Sequence, residues 1–302
     1  MIFRLLLMIY LLFIMLHISI IFILYSTFST PISSVERDWD YLIYSLAWPP
    51  TYCYTHSCKL PYKMNDFNIH GLWPSKWPRG NPNCPTDQPF QVETIQPIYN
   101  ELQKQWANLD DFDKPEAFWQ HEWSKHGVCA ISDAPYISNE FDYFNMSLVI
   151  KSKVNLMKRL ESVKITPNNM VTLKRDILLD QLKSLFNVDV IIYCYLKHRT
   201  PAKLAEIRLC MNPSMEFINC PALNYTRLQQ HAQQLSLLSS NNNYPKFLFH
   251  NYLCKNELLQ WFFQSPNCLN HPTNANPVLL LSSNNAPCPK ELIFPDFDLI
   301  NN

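Results

Sequence analysis

The chain is most informative at Phe67-Asn68-Ile69-His70-Gly71-Leu72-Trp73-Pro74 and at Phe118-Trp119-Gln120-His121-Glu122-Trp123-Ser124-Lys125-His126-Gly127-Val128-Cys129. The first segment has the pattern of a strand and the second that of a helix. Together they hold three histidines, a glutamate, a lysine and several tryptophans. Such groups suit acid–base chemistry on a phosphodiester, and aromatic rings suit contact with a base. No nucleophilic Ser or Cys motif is evident, so we expect the nucleophile to come from the substrate.

The composition allows a large hydrophobic core. The 302 residues are 47% hydrophobic and 14% aromatic, which suits one large domain or two small ones. The formal net charge is zero. This balance argues against a strongly basic nucleic-acid scaffold, although it permits a local basic cleft.

The N-terminus, residues 1–29, is predicted to be a targeting segment. Arg4 precedes an apolar run at 5–25, and Thr27-Phe28-Ser29 suits cleavage after Ser29. Because about 20 apolar residues can span a bilayer, an uncleaved anchor is the alternative to a cleaved signal peptide. We expect a secreted protein, or one in the lumen of a lysosome-like or vacuole-like compartment, with a single domain over residues 36–302.

Export makes the 10 cysteines candidates for disulfides. Zinc ligation is the alternative, but no Cys-x-x-Cys pair occurs in the sequence. Two sequons fit the same compartment, and they predict glycosylation at Asn145 and Asn224.

The order of the predicted elements favours an α+β domain, because strands and helices are interspersed without a regular βαβ series. A mainly antiparallel central sheet flanked by helices is expected. Strands are predicted at 39–48, 67–72, 188–196, 205–211 and 215–220, the third of them central. Helices are predicted at 90–106, from Pro115 to near Gly127, at about 143–160, and from Thr166-Pro167 to Phe186.

Residues at about 222–287 differ from the rest, being rich in Gln, Asn and Ser without a sustained period. The sequence Leu-Leu-Ser-Ser-Asn-Asn at 237–242 reappears at 280–285. A long loop without structure of its own is unusual inside a compact domain. The segment is either a real insertion or an artefact of sequence assembly or gene prediction, and the sequence leaves both interpretations open.

The second segment, taken as a helix, places four polar groups on one face. His121 and Lys125 are four residues apart, as are Glu122 and His126, so all four side chains are neighbours. A solvent-exposed pairing is the ordinary explanation of such a face. A zinc site of the His-Glu-x-x-His type is another, but His121 and His126 are five apart, roughly 140° around an α-helix. A surface that handles phosphate would use all four groups.

Together the two segments resemble the active-site segments of the T2 family of secreted ribonucleases. The resemblance rests on Ile69-His70-Gly71-Leu72-Trp73-Pro74 and on Phe118-Trp119, His121-Glu122-Trp123, Lys125-His126-Gly127 and Cys129. It extends more loosely from Trp39 to Cys220, and resumes near Cys288 in the tail.

The resemblance implies a role for each matching residue. His70 is expected to be the proton donor and His126 the proton acceptor. Glu122 and Lys125 are expected to stabilise the phosphorane and His121 to bind phosphate, while Trp73 stacks on a base. The resemblance also implies disulfides between Cys53 and Cys58, Cys84 and Cys129, Cys194 and Cys288, and Cys210 and Cys220. Cys254 and Cys268 then pair with each other or not at all. Departures at Ala47, Asn68 and Ser75 affect the expected base preference.

The expected reaction is cleavage of single-stranded RNA by attack of the 2′-hydroxyl, which gives a 2′,3′-cyclic phosphate and then a 3′-phosphate. It needs no metal or cofactor, and DNA cannot react in this way. RNA is the expected partner of a monomeric protein. The alternative is a secreted binding or signalling protein on the same fold that has lost catalysis.

Overall fold

The protein was analysed as a computed structural model that describes residues 10, 13–19, 38–76, 82, 88–196, 200–221 and 285–297. The chain divides into two units, Met1–Arg37 and Asp38–Asn302. In the first unit, Tyr10 and residues 13–19 are helical and exposed. No helix within the described ranges has the length and apolarity needed to cross a membrane. The proposed cleavage site after Ser29 lies outside these ranges.

The second unit is built on a mainly antiparallel sheet, so the predicted α+β class is confirmed. Its principal strands are β1 (Tyr41–Ala47), β2 (Asn68–Ser75), β4 (Ile191–Tyr195), β5 (Lys203–Met211) and β7 (Asn285–Pro287), in the order β2-β1-β5-β4-β7. Three further strands complete it: β3 (Asn168–Lys174), β6 (Phe217–Ile218) and β8 (Glu291–Phe294). β8 pairs antiparallel with β3 and makes one parallel contact with β5.

The helices are mostly short. They are α1 (Pro49–Thr55), a 3-10 helix (Val92–Ile98), α2 (Tyr99–Gln105), α3 (Glu116–Glu122), a π-helix (Trp123–Gly127), α4 (Val128–Asp133), α5 (Glu140–Val154), α6 (Leu156–Ser162) and α7 (Arg175–Phe186). Pro49 and Pro50 follow β1 and begin α1, where a proline's missing N–H costs nothing.

Three helix predictions need correction. Residues 168–174 are strand β3 rather than helix, because they pair with β8, which follows far along the chain. The helix expected over 143–160 is broken at Asn155, whose φ of 38° is left-handed and suits Asn. The helix begun at Pro115 does not end near Gly127, where the backbone is still helical with φ of −60°. A Cβ at Gly127 would lie 2.2 Å from the Trp123 ring, so this glycine serves packing rather than chain termination.

Buried tryptophans join the sheet to the helices. Trp39, Trp48, Trp106, Trp119 and Trp123 are all almost fully buried. Each indole N–H finds a backbone carbonyl, as buried tryptophan requires. Trp106 donates to the His70 carbonyl at 3.1 Å, and Trp119 donates to the Trp106 carbonyl at 2.7 Å. These contacts fix the backbone of β2 at His70 against the helical layer.

Three of the four expected disulfides are described: Cys53–Cys58, Cys194–Cys288 and Cys210–Cys220. Cys129 is also disulfide-bonded, while Cys84, Cys254 and Cys268 lie outside the described residues. Asn145 lies half-buried on α5, and Asn224 lies outside the described residues. Of the expected insertion, residues 222–284 also lie outside them, whereas 285–287 form β7 beside β4.

Candidate active site

A β-bulge presents His70 to the cleft. Ser45 of β1 pairs with Gly71 and Leu46 pairs with Ile69, so His70 has no partner in the ladder. An extra residue of this kind re-aims a side chain and is common beside active sites. The His70 side chain is 37% exposed, whereas most of β2 is buried. The position of the first expected catalytic residue therefore follows from strand register.

The second segment supplies the other groups, but not as the regular α-helix that its spacing predicts. Trp123–Gly127 is π-helical, and the Val128 N–H donates to the Trp123 carbonyl five residues earlier. Single π-turns of this type are frequent at functional sites. Glu122 and His126 are buried, 2% and 7% exposed, whereas His121 and Lys125 are exposed. The four polar groups thus divide into a buried pair and a solvent-facing pair.

Trp73 connects the two segments. Its ring centroid lies 4.9 Å from that of His70 and 5.4 Å from that of His126. Its indole N–H donates to Glu122 Oε2 at 2.8 Å. The residue is only 1% exposed. Trp73 therefore lies packed among His70, Glu122 and His126, and the stacking role that the family resemblance implies stays a prediction.

Gly71 makes this close packing possible. A Cβ at this position would lie 2.0 Å from Trp73 Nε1 and 2.2 Å from Glu122 Oε2. Real side-chain atoms do not approach so closely, hence any larger residue would displace the hydrogen bond between Trp73 and Glu122.

The surroundings of the two histidines shift their pKa values in opposite directions. Burial lowers the pKa of His126 well below its usual value, and His121, His70 and Lys125 lower it further. Burial alone would lower the pKa of His70, but the charge and hydrogen bond of Glu206, with a contribution from Glu122, leave it raised. His126 therefore favours the neutral form and His70 the charged form.

Glu122 is poised between its two protonation states. Burial raises the pKa of this carboxyl to about 7, against the lowering effects of His70 and the Trp73 hydrogen bond. His121 faces solvent, but its pKa is also lowered. The causes are partial burial of the ring and the nearby charges of Lys125 and His70. The charge state of each of these four side chains, Glu122, His70, His121 and Lys125, therefore affects the pKa of at least one histidine in the site.

Sequence reasoning missed one group of the site. Glu206 of β5 accepts a hydrogen bond from His70 Nδ1, with 2.7 Å between Nδ1 and Oε1. Its Oε2 accepts from Arg208 Nε at 2.9 Å, from Arg208 Nη2 at 2.6 Å and from Ser45 Oγ at 3.2 Å. The available indication was the set of three charged residues in β5, Lys203, Glu206 and Arg208, since charged residues are rarely buried unless paired.

A cavity of about 250 Å³ opens beside His70. Its walls are mixed, with backbone and side chains from β1, α1, β5 and the segment after α2. They include Thr51, Tyr52, His56, Asn108, Asp110 and Phe118, together with His70 and Glu206. Among the described residues, no group of three or more His, Cys, Asp or Glu could hold a metal ion.

Comparison with known proteins gives one consistent family. The profile of the ribonuclease T2 family matches residues 39–220. Ribonuclease Oy of Magallana gigas is 37% identical over 189 residues, covering 61% of this chain and 88% of the relative. Ribonuclease 3 of Arabidopsis thaliana is 33% identical over 212 residues, covering 67% and 92%.

Solved structures agree with this match. Human RNase T2 superposes with a TM-score of 0.53 at 27% identity, covering 60% of this chain and 90% of that one. Ribonuclease MC1 from bitter gourd seeds gives a TM-score of 0.54 at 25% identity, covering 61% and 95%.

His70 on the bulge, the buried His126 and the Glu122 carboxylate are all brought to Trp73 by the fold that these ribonucleases share. The chain belongs to the ribonuclease T2 family and is a T2-type endoribonuclease. The alternative of a non-catalytic binding or signalling protein is not favoured, because the relatives are ribonucleases.

Proposed function

We propose that this protein cleaves single-stranded RNA without a metal, with His126 as the general base and His70 as the general acid. The observation that carries the proposal is the placement of two histidines around one buried tryptophan, with His70 hydrogen-bonded to a carboxylate and His126 buried in the core. A base must begin neutral and an acid must begin charged. The same ring type meets both requirements here because Glu206 favours the charged form of His70, whereas burial favours the neutral form of His126.

In the first step the phosphoryl group is transferred within the RNA, from the 5′-oxygen of one nucleotide to the 2′-oxygen of the preceding one. His126 takes the proton of the 2′-hydroxyl, the 2′-oxygen attacks phosphorus, and the bond from phosphorus to the 5′-oxygen breaks. His70 gives its proton to that departing oxygen. The product is a 2′,3′-cyclic phosphate, which water then opens to a 3′-phosphate.

The negative charge that develops on the phosphorane is stabilised by three side chains, Glu122, His121 and Lys125. His121 and Lys125 are exposed beside the cleft, where they can reach the non-bridging oxygens. Glu122 is held by Trp73, so we assign Trp73 to support of this carboxylate rather than to a base. The cavity beside His70 lies where the nucleoside bearing the 5′-oxygen would leave.

The activity test compares two oligonucleotides that differ at one sugar. An RNA oligomer should be cleaved in EDTA with a 2′,3′-cyclic phosphate identified by mass spectrometry, whereas the oligomer with 2′-deoxyribose at the cleaved position should be intact. Loss of cleavage in EDTA with recovery on adding zinc or magnesium would refute the mechanism.

The cellular setting is proposed from the sequence. The relatives include both an extracellular ribonuclease, LE, and an intracellular one, LX, from Solanum lycopersicum. The apolar N-terminal run and the disulfides support a secreted or luminal protein. The two sequons support glycosylation at Asn145 and Asn224, and we propose that the protein is a monomer. N-terminal sequencing of the mature protein, its mass before and after glycan removal, and light scattering test these points; an unprocessed, unglycosylated protein would refute the secreted assignment.

A further inference from the structure

We propose that Glu206 is a positioning residue for His70, which holds the imidazole by Nδ1 and so makes Nε2 the atom that gives the proton to the departing 5′-oxygen. The proposal rests on the proposed function, since it assigns the acid role to His70. Neither the segment at 67–74 nor that at 118–129 contains Glu206, which lies 136 residues from His70 along the chain.

The carboxylate is fixed on both oxygens. Oε1 faces His70 Nδ1 at 2.7 Å, and Oε2 takes three hydrogen bonds from Arg208 and Ser45. Glu206 is 5% exposed at its side chain, so water competes little for these bonds. A carboxylate held so firmly can fix the orientation of the ring that donates to it.

Arg208 is itself immobilised. Its guanidinium carbon lies 4.2 Å from the centroid of the Tyr193 ring and 4.9 Å from that of Trp73. Because the Trp73 indole also donates to Glu122, the support of the acid and the support of the phosphorane-stabilising carboxylate share one packed unit. On the other side, the Trp106 indole bonds to the His70 carbonyl and holds its backbone.

The proton count follows from this geometry. Charged His70 carries a proton on each nitrogen, with Nδ1–H donated to Glu206 and Nε2–H directed away from it. After Nε2 gives its proton to the 5′-oxygen, neutral His70 keeps Nδ1–H and its bond to the carboxylate. Nε2 is then an acceptor, ready to take a proton from the water that opens the cyclic phosphate.

The charges around His70 agree with this role. Glu206 and Arg208 approach from β5, Glu122 approaches from α3, and His121 and His126 act on it from the helix carrying the second segment. Burial alone would raise the pKa of Glu206, but Arg208 and His70 hold it well below its usual range, so the carboxylate is ionised. Among these groups, Glu206 makes the largest contribution that favours charged His70.

The variant to test is Glu206→Gln, with Glu140→Gln as the matched control. Glu140 is equally buried, at 6% exposed, and accepts only from the backbone N–H of Gln91, away from the proposed site. We expect Glu206→Gln to lower kcat by about 10- to 100-fold, by analogy with carboxylates that orient metal-ligating histidines, with KM nearly unchanged. The alkaline limb of the pH profile should move to lower pH, because His70 loses its anionic partner and gives up its proton more easily.

Glu206→Asp should recover part of kcat and restore the alkaline limb, and Glu140→Gln should leave both unchanged. If Glu206→Gln lowers the melting temperature but leaves the alkaline limb in place, Glu206 is merely structural and the proposal is wrong.

A second measurement uses the unaltered protein and does not depend on folding of a variant or on activity. Long-range proton–nitrogen NMR of neutral His70 should show the hydrogen on Nδ1. A hydrogen on Nε2 would overturn the proposal even in an active enzyme, whereas absence of RNA cleavage with the hydrogen on Nδ1 would refute only the proposed function.

Discussion

Replacing Trp73 with Phe separates the two roles that this residue could have. Phenylalanine keeps an aromatic face for stacking, but it removes the indole N–H that donates to Glu122 Oε2 at 2.8 Å. If Trp73 stacked on a base, the variant would bind and cleave almost normally. The structure predicts otherwise, since Trp73 is 1% exposed and its hydrogen bond holds a buried carboxylate.

The magnitude follows from that hydrogen bond. A buried charged acceptor that loses its donor costs about 1.5–3 kcal/mol. Expressed in the transition state, this loss is a decrease in kcat of about 10- to 150-fold, at 1.36 kcal/mol for each factor of ten. Because the hydrogen bond lowers the pKa of Glu122, its removal should also raise that pKa above about 7.

Steady-state kinetics on an RNA oligomer measures kcat and KM separately, and thermal melting measures the stability lost with the smaller ring. Trp48→Phe is the matched control. It removes another buried indole and its bond to the Pro295 carbonyl, so its loss of stability should be similar. It should keep kcat within a few-fold of the unaltered protein. A Trp73→Phe protein with unchanged kcat, or with only KM increased, would refute the supporting role.

Three further outcomes are expected. His70→Ala and His126→Ala should each lower turnover by about 10² to 10⁴-fold while circular dichroism stays unchanged, and near-normal cleavage by either would mean that the roles are misassigned. Turnover measured against pH should be a broad bell, because activity needs pH above the lowered pKa of His126 and below the raised pKa of His70; a narrow peak near 6.5 would contradict these shifts. Deletion of residues 243–285 should leave export and cleavage intact, since Asn242 then takes the place of Asn285 opposite Tyr195; a misfolded deletion protein beside an active full-length chain would show that the segment is integral.

The sequence predicts most of what is local in this protein. Strand β1 and the pair β5–β6 lie where apolar runs place them, and the helical segment at 116–133 carries the expected polar groups. The prediction of helix at 168–174 was wrong because pairing with β8, which lies beyond the long Asn-rich segment, overrides local preference. A local sequence pattern around residues 168–174 cannot reveal this pairing, because β8 lies more than a hundred residues further along the chain.

The same limit applies to the candidate site. Two compact segments supply His70, Glu122 and His126, and sequence alone finds them because each segment is contiguous. Glu206 is invisible to such a search, since it meets His70 only when β2 and β5 are both paired to β1. The surroundings of Trp73 are also non-local, since its contacts with Glu122, His126 and Arg208 come from other elements of the fold.

The proposed roles of the two histidines, one as base and one as acid, follow from their different burial and their different partners. His126 is 7% exposed with cationic neighbours, so folding stabilises its neutral form. His70 is 37% exposed and bonded to an anion, so folding stabilises its charged form. With the pKa of the base below that of the acid, the reactive combination is the majority state between the two values rather than a rare one. Unaltered imidazoles near 6.5 would share their protons evenly and leave much of the enzyme in an unreactive form. In the proposed mechanism, the fold prepares the two protonation states before RNA binds, by placing one histidine in the core and the other on a bulge beside a carboxylate.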